Sequence, residues 1–288
     1  MPSWEEFSLA PLADVQKIAP QTIILTNGGT RRHAFLAGIR DDDFISWSRQ
    51  QMIRCLDLVF QHGVQHIFTT ALAETNFDET TTGYRGKLVE WTRWALAGEE
   101  ALADYDRLGW RVRLVGAERW PGLEDLDQYL RDATAGNEGA TVWFTVASTA
   151  EDRWLELFSK LANQPITSRA EAIELLYGEN VPLASLFIGS GKPQVFASIV
   201  PPLLIGNLQC YWRQHLGYDL DALTLRRILY DYAYLRRTWQ ADKSNRTEQA
   251  VFYRSAWEND PAVVGLGMRL GPFWYPAPLP ARNIEHDD

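Results

Sequence analysis

Ile23-Ile24-Leu25-Thr26-Asn27-Gly28-Gly29-Thr30-Arg31-Arg32-His33 sets an apolar strand directly against a glycine turn that carries two adjacent guanidinium groups. Gly28 and Gly29 let the backbone approach a ligand closely or take positive φ. With a helix starting near Arg31, the amides that follow point toward phosphate oxygens, and Arg31 and Arg32 can fork onto the same oxygens. Strand, turn and paired arginines together describe an anion site at the end of a strand.

Working outward, apolar runs at 22–26, 64–70, 111–116, 141–147 and 184–188 alternate with helix-period segments at about 44–62, 85–108, 123–135, 150–162 and 168–177. That alternation predicts an α/β fold, a single domain with a mostly parallel central sheet flanked by helices. Punctuation agrees with it. His62-Gly63 and Leu108-Gly109 end helices just before strands, and Ser168-Arg169-Ala170-Glu171 has the form of a capping box. A further apolar stretch at 195–205 is interrupted by Pro201 and Pro202, which demote its end from a central strand. Residues 221–239 read as a strongly basic amphipathic helix. One domain over 1–288 carries an N-terminal extension of about 1–20 and a Pro-rich tail of about 258–288, which folds over the surface at 272–281.

Composition narrows the function classes. With 46% hydrophobic and 23% charged residues the chain is an ordinary globular protein. A net charge of −9 argues against a general nucleic-acid binder, so the arginine clusters are local sites on an acidic surface. Cys55 and Cys210 do not make a disulfide framework and fit a reducing cytoplasm. The opening Met-Pro-Ser-Trp-Glu-Glu lacks the parts of a signal peptide, and no apolar run approaches the roughly 20 residues that span a bilayer. Twelve Trp, 11 Tyr and 12 Phe exceed what a core usually needs and point to an aromatic-lined apolar cavity.

Ligands of open parallel sheets bind outside the carboxyl ends of the strands. That rule gathers Asn27 to Arg32, the acidic loop Ala73 to Glu79, Gly116 to Arg119, and Gly189-Ser190-Gly191-Lys192 at one mouth, where a diphosphate with a divalent cation fits. Glu74 reads as a helix cap or a functional carboxylate, and Asp78-Glu79 as a solvated loop or a metal motif. Arg227, Asp231 and Tyr234 share one face of the basic helix. His33 is a packed histidine rather than a base, and His62 and His66 carry no chemistry.

The order of these pieces resembles the cis-prenyltransferase family. Gly28-Gly29-Thr30-Arg31-Arg32-His33 stands at that family's Asp-Gly-Asn-Gly-Arg-Trp, Ala71-Leu72-Ala73-Glu74-Thr75-Asn76 at its Phe-Ser-Ser-Glu-Asn-Trp, and Arg111-Val112-Arg113-Leu114-Val115-Gly116 at its third strand. Leu176-Tyr177-Gly178-Glu179, Leu186-Phe187-Ile188-Gly189-Ser190-Gly191 and the run from Thr224 to Arg236 resemble a divergent branch, the kolavelool and tuberculosinol synthases. The resemblance implies an enzyme, a terpene synthase releasing diphosphate, that ionises a bicyclic diterpenyl diphosphate made by a class II diterpene cyclase. Kolavenyl diphosphate is favoured, with water quenching the allylic cation to the tertiary alcohol kolavelool. Tuberculosinol formation, prenyl transfer to a nucleophile such as adenosine, and a catalytically silent partner subunit are the other readings.

The resemblance assigns the diphosphate to Gly28, Gly29, Thr30, Arg31, Arg32, Arg226 and Arg227, and catalysis to Arg32, Glu74 and Tyr234. It implies Mg2+, with Glu74 and Asp78 as candidate ligands, and a homodimer in the cytoplasm. Two departures stand out. Ile188 and Gln194 replace the arginines with which elongating relatives hold isopentenyl diphosphate, and Gly28 replaces the metal-binding aspartate.

Overall fold

The computed structural model describes residues 2–78, 82–147, 149, 151–190, 195, 199–213 and 215–234, with short pieces at 244, 247–248, 251, 254, 268–270 and 273–275. Two short helices open the chain, α1 (Trp4–Ser8) and α2 (Leu12–Gln16). Then follow β1 (Thr22–Leu25), α3 (Thr30–Leu36), α4 (Asp41–Gln61), β2 (His66–Leu72), α5 (Glu74–Phe77), α6 (Tyr84–Ala97), α7 (Glu99–Leu108) and β3 (Arg111–Val115). A 3-10 turn at Ala117–Arg119 leads to α8 (Leu126–Ala133), β4 (Thr141–Val146), α9 (Asp152–Leu161), α10 (Arg169–Tyr177), β5 (Ala184–Ser190), β6 (Ile205–Arg213) and α11 (Ala222–Tyr234). A small antiparallel hairpin, β7 (Met268–Leu270) with β8 (Phe273–Tyr275), closes the described chain.

The six main strands form one sheet in the order β3-β4-β2-β1-β5-β6, and every neighbouring pair is parallel. Central strands are buried on both faces, which is why they read as unbroken apolar runs. Side chains alternate between two cores. Ile23, Leu25, Leu186 and Ile188 face the cluster under α4, α6, α7, α8 and α11, while Ile24, Phe68, Trp143 and Phe187 face the cluster under α9 and α10. A register shift between Thr70 and Leu72 swings the end of β2, so that Leu72 joins Ile67 on the first face.

The chain leaves β1 toward β2 on one side and returns to β5 on the other, so the strand order reverses at β1. The crevice for ligands in such sheets opens outside the carboxyl ends at that reversal. Gly28 and Ser190 meet there.

Three expectations change. The single helix of 85–108 is two, because Gly98 is extended (ψ 160) and a side chain there would collide with the Trp94 carbonyl. A sixth strand follows the prolines rather than ending at them, since β6 lies at the sheet edge, where Asn207 and Gln209 interrupt the apolar run. The capping box at Ser168 is half formed. Ser168 Oγ accepts from Glu171 N, but the Glu171 carboxylate turns to Thr167 N and Oγ1. The basic helix is described to Tyr234, and its extension to 239 and most of the Pro-rich tail lie outside the described residues.

Candidate active site

The turn after β1 is held from below by β5 and β6. The Gly28 carbonyl accepts from Ser190 Oγ (3.1 Å) and from Gly217 N (2.8 Å). Arg213, the last residue of β6, donates through Nη2 to Asn27 Oδ1 (3.1 Å) and Gly217 O (2.9 Å), and through Nη1 to Asp219 O (2.5 Å). Burial of this guanidinium, 6% exposed, pushes its pKa below the usual arginine value. The Gly28 carbonyl and Asn27 Oδ1 are thereby committed to the protein. Gly29 is the glycine the turn requires. Its φ is +84, and a Cβ there would lie 3.0 Å from Leu216. Gly28 has no such constraint, since a Cβ would come no closer than 3.8 Å to Ser190.

Arg31 and Arg32 lead α3 from this turn. The Arg31 guanidinium lies over the Tyr84 ring, 4.6 Å from its centre. Arg32 Nη2 folds back to 3.5 Å from where a Gly29 side chain would stand. His33 packs edge-on against Trp47, with ring centres 4.9 Å apart, as a packed histidine does.

Behind Thr30 and Arg31 a cavity of about 190 Å³ runs between the sheet and helices α4 and α6. Phe44, Tyr84, Trp91, Phe144 and Tyr218 give it aromatic faces. Burial raises the Tyr218 phenol above its ordinary pKa, so it stays protonated. Arg49 also lines the cavity; it is 5% exposed and pairs with Glu100 (2.5 Å) and Asp104 (2.6 Å) on α7. Two carboxylates offset the desolvation of that one cation.

An anion turn opening on an aromatic chamber suits a prenyl diphosphate. Over 277 residues, 96% of each chain, the sequence is 42% identical to (+)-kolavelool synthase of Herpetosiphon aurantiacus. The chain belongs to the diterpene-synthase branch of the cis-prenyltransferase family. It is also 29% identical over 294 residues to tuberculosinyl adenosine transferase of Mycobacterium tuberculosis, covering 95% of this chain and 98% of that one. No family model matches. Lavandulyl diphosphate synthase from Lavandula x intermedia superposes with a TM-score of 0.57 at 16% identity, covering 77% of this chain and 98% of that one. A probable undecaprenyl diphosphate synthase from Campylobacter jejuni gives 0.58 at 12% identity, covering 76% and 97%. These two show the fold of the cis-prenyltransferases.

In this diterpene synthase Gly28 to Arg32 share the turn, while Arg226 and Tyr234 are engaged by the N-terminal extension. Arg226 donates to the carbonyls of Phe7, Ser8 and Ala10, so it braces the N-terminal extension against α11. Tyr234 packs against Phe7 and Tyr230 on that same side. The Arg227 guanidinium lies 5.2 Å from the Trp4 ring centre and lines a second, smaller cavity with Trp212 and His215. Gly116 ends a strand three positions from β1, roughly 14 Å at the usual strand spacing, and packs on Arg153. Glu74 starts α5 but its side chain lies outside the described residues, as does Glu79, and Asp78 is exposed.

Among the described residues no three His, Cys, Asp or Glu side chains gather as metal ligands. Gly28 stands in the aspartate's place, and of the candidate ligands the side chain of Glu74 lies outside the described residues. Two residues at this place escaped the sequence reading: Arg213 and Tyr84. The one available signal was Arg213, a lone cation closing the apolar run Cys210-Tyr211-Trp212.

Proposed function

We propose that this synthase ionises a bicyclic diterpenyl diphosphate, with kolavenyl diphosphate favoured, and quenches the allylic cation with water to give kolavelool and diphosphate. The observation that carries the reading is the anion turn opening directly on the aromatic cavity, in a chain 42% identical to a kolavelool synthase. The C–O bond breaks with its electron pair leaving on the diphosphate. Arg31, Arg32 and the turn amides take up the charge that develops there. The Tyr84 and Trp91 faces stand beside the allylic cation, where an aromatic quadrupole favours positive charge. Water then bonds to the tertiary carbon, and its proton passes to a diphosphate oxygen.

Magnesium belongs to this proposal as an ion carried in on the substrate's diphosphate. The substrate must come from a class II cyclase, a reaction that closes rings and leaves the diphosphate intact. A homodimer is supported by the apolar surface of α9, where Trp154, Leu155 and Phe158 are 46%, 51% and 64% exposed. Two free cysteines, Cys55 and Cys210, support a cytoplasmic setting.

Transfer of the same cation to adenosine is the second reading, favoured by the likeness to the adenosine transferase. Incubation with kolavenyl, halimane-type and linear diterpenyl diphosphates, with and without adenosine, separates the two by gas chromatography and mass spectrometry. A free tertiary alcohol from kolavenyl diphosphate is the expected product. An adenosine adduct replacing it would favour transfer.

A further inference from the structure

Helix α3 turns a mixed face to solvent. His33 and Ala34 point inward, the first edge-on to Trp47 and the second 2% exposed, so the helix is seated on α4. The outer face carries Arg31 and Arg32 and, one turn on, Phe35 and Leu36, which are 79% and 78% exposed. Helical side chains four apart share a face, and each leans over the turn that precedes it. Phe35 therefore leans toward Arg31, which lines the aromatic cavity, and Leu36 toward Arg32.

Size supplies the second half of the argument. The cavity behind Arg31 holds about 190 Å³. A space of about 150 Å³ takes one benzene, and a diterpenyl body has more than three times benzene's carbons. The cavity thus receives the allylic end and leaves the rest of the hydrocarbon outside, where the outer face of α3 begins.

We infer that Phe35 and Leu36 are specificity-determining residues, which cover the part of the diterpenyl body that the cavity behind Arg31 does not hold. The inference rests on the reading of the Gly28 to Arg32 turn as the diphosphate site. One short helix then reads both ends of an amphiphile, the anionic head with Arg31 and Arg32 and the apolar body with the residues one turn further. A five-carbon prenyl group is smaller than benzene, fits inside the cavity and gains nothing from the apolar pair.

Titration calorimetry of the full chain tests this with inorganic diphosphate and with the five-carbon and linear twenty-carbon prenyl thiolodiphosphates, whose slow ionisation leaves binding to be measured. Phe35→Gln/Leu36→Gln keeps good helix formers on an exposed face. It is expected to weaken the twenty-carbon ligand about tenfold, the order gained by taking two exposed apolar side chains partly out of water, and to leave the other two ligands within about twofold. Phe35→Leu/Leu36→Phe, which keeps the apolar surface, should stay within about twofold for all three. Equal loss with all three ligands, or no loss with the twenty-carbon one, overturns the inference. So does a shift of the glutamine variant to a smaller species in sedimentation, which would give the patch to a second copy, or its loss of binding to phosphatidylcholine vesicles, which would give it to a lipid surface. Arg32→Ala is the control for the site itself and should weaken all three ligands. Absence of inorganic diphosphate binding by the wild type, or no weakening by Arg32→Ala, would sink the diphosphate reading whatever the glutamine variant does.

Discussion

The Arg31 guanidinium carbon stands 4.6 Å from the centre of the Tyr84 ring, where the anion turn meets the aromatic cavity. One face thus already holds a cation in the free enzyme. In the proposed reaction that face would receive the allylic cation once Arg31 engages the leaving group.

Replacing the ring and replacing its hydroxyl should therefore differ. Tyr84→Leu is expected to lower kcat about tenfold, between what exposed and desolvated cation–π contacts contribute. Tyr84→Phe should stay within about twofold. Continuous diphosphate-release kinetics check both, and an equal loss in the two variants would assign the effect to the hydroxyl instead.

Adjacent glycines in the turn should behave oppositely. Gly29→Ala forces an L residue to φ +84 and presses on Leu216, so it should lower the melting temperature by roughly 5 °C. Gly28→Asp meets only ordinary contacts at 3.8 Å and should fold normally. It also restores a carboxylate at the diphosphate, so it should lower the magnesium concentration for half-maximal rate. Full wild-type activity in excess EDTA would contradict the magnesium requirement.

The parts of this site that were legible in the sequence are those set by neighbours in the chain. Strand β1, the glycine turn and Arg31-Arg32 follow from a local pattern, as do the helix stops at Gly63 and Gly109. The parts that were hidden depend on the sheet order. Arg213 reaches Asn27 across 186 positions, because β5 lies beside β1 and β6 beside β5. Arg226 and Tyr234 were misplaced for the converse reason. Their helix carries a basic pattern suited to an anion, but α11 packs against α1, whose carbonyls occupy Arg226. Nothing local distinguishes an arginine that binds substrate from one that braces a terminus.

Stability should fall on acidification from pH 7 toward 5. Burial lowers the pKa of His62 and of His66, so both are neutral when folded while the unfolded chain takes up protons below about 6.5. A depressed folded pKa gives stability that is present above the unfolded value and lost as pH falls through the folded one. Glu118, raised by burial and by Glu156, acts in the opposite sense. Comparing melting temperatures at pH 7.5 and 5.5, the double variant His62→Gln/His66→Gln should show a smaller loss than wild type. An unchanged difference would mean that neither histidine governs the acid limb.

Arg32→Ala should lower kcat by about 100-fold or more and leave the melting temperature within a few degrees, since Arg32 is exposed and its stabilisation grows only as the C–O bond breaks. A variant with near-normal turnover would move the leaving group away from this turn.

In the proposed reaction the carbon–oxygen bond ionises and water supplies the new hydroxyl. Turnover of kolavenyl diphosphate in H2(18)O tests it most directly. The expected product is a tertiary alcohol carrying one 18O atom for each diphosphate released. An alcohol retaining 16O would place the cleavage at phosphorus and contradict it.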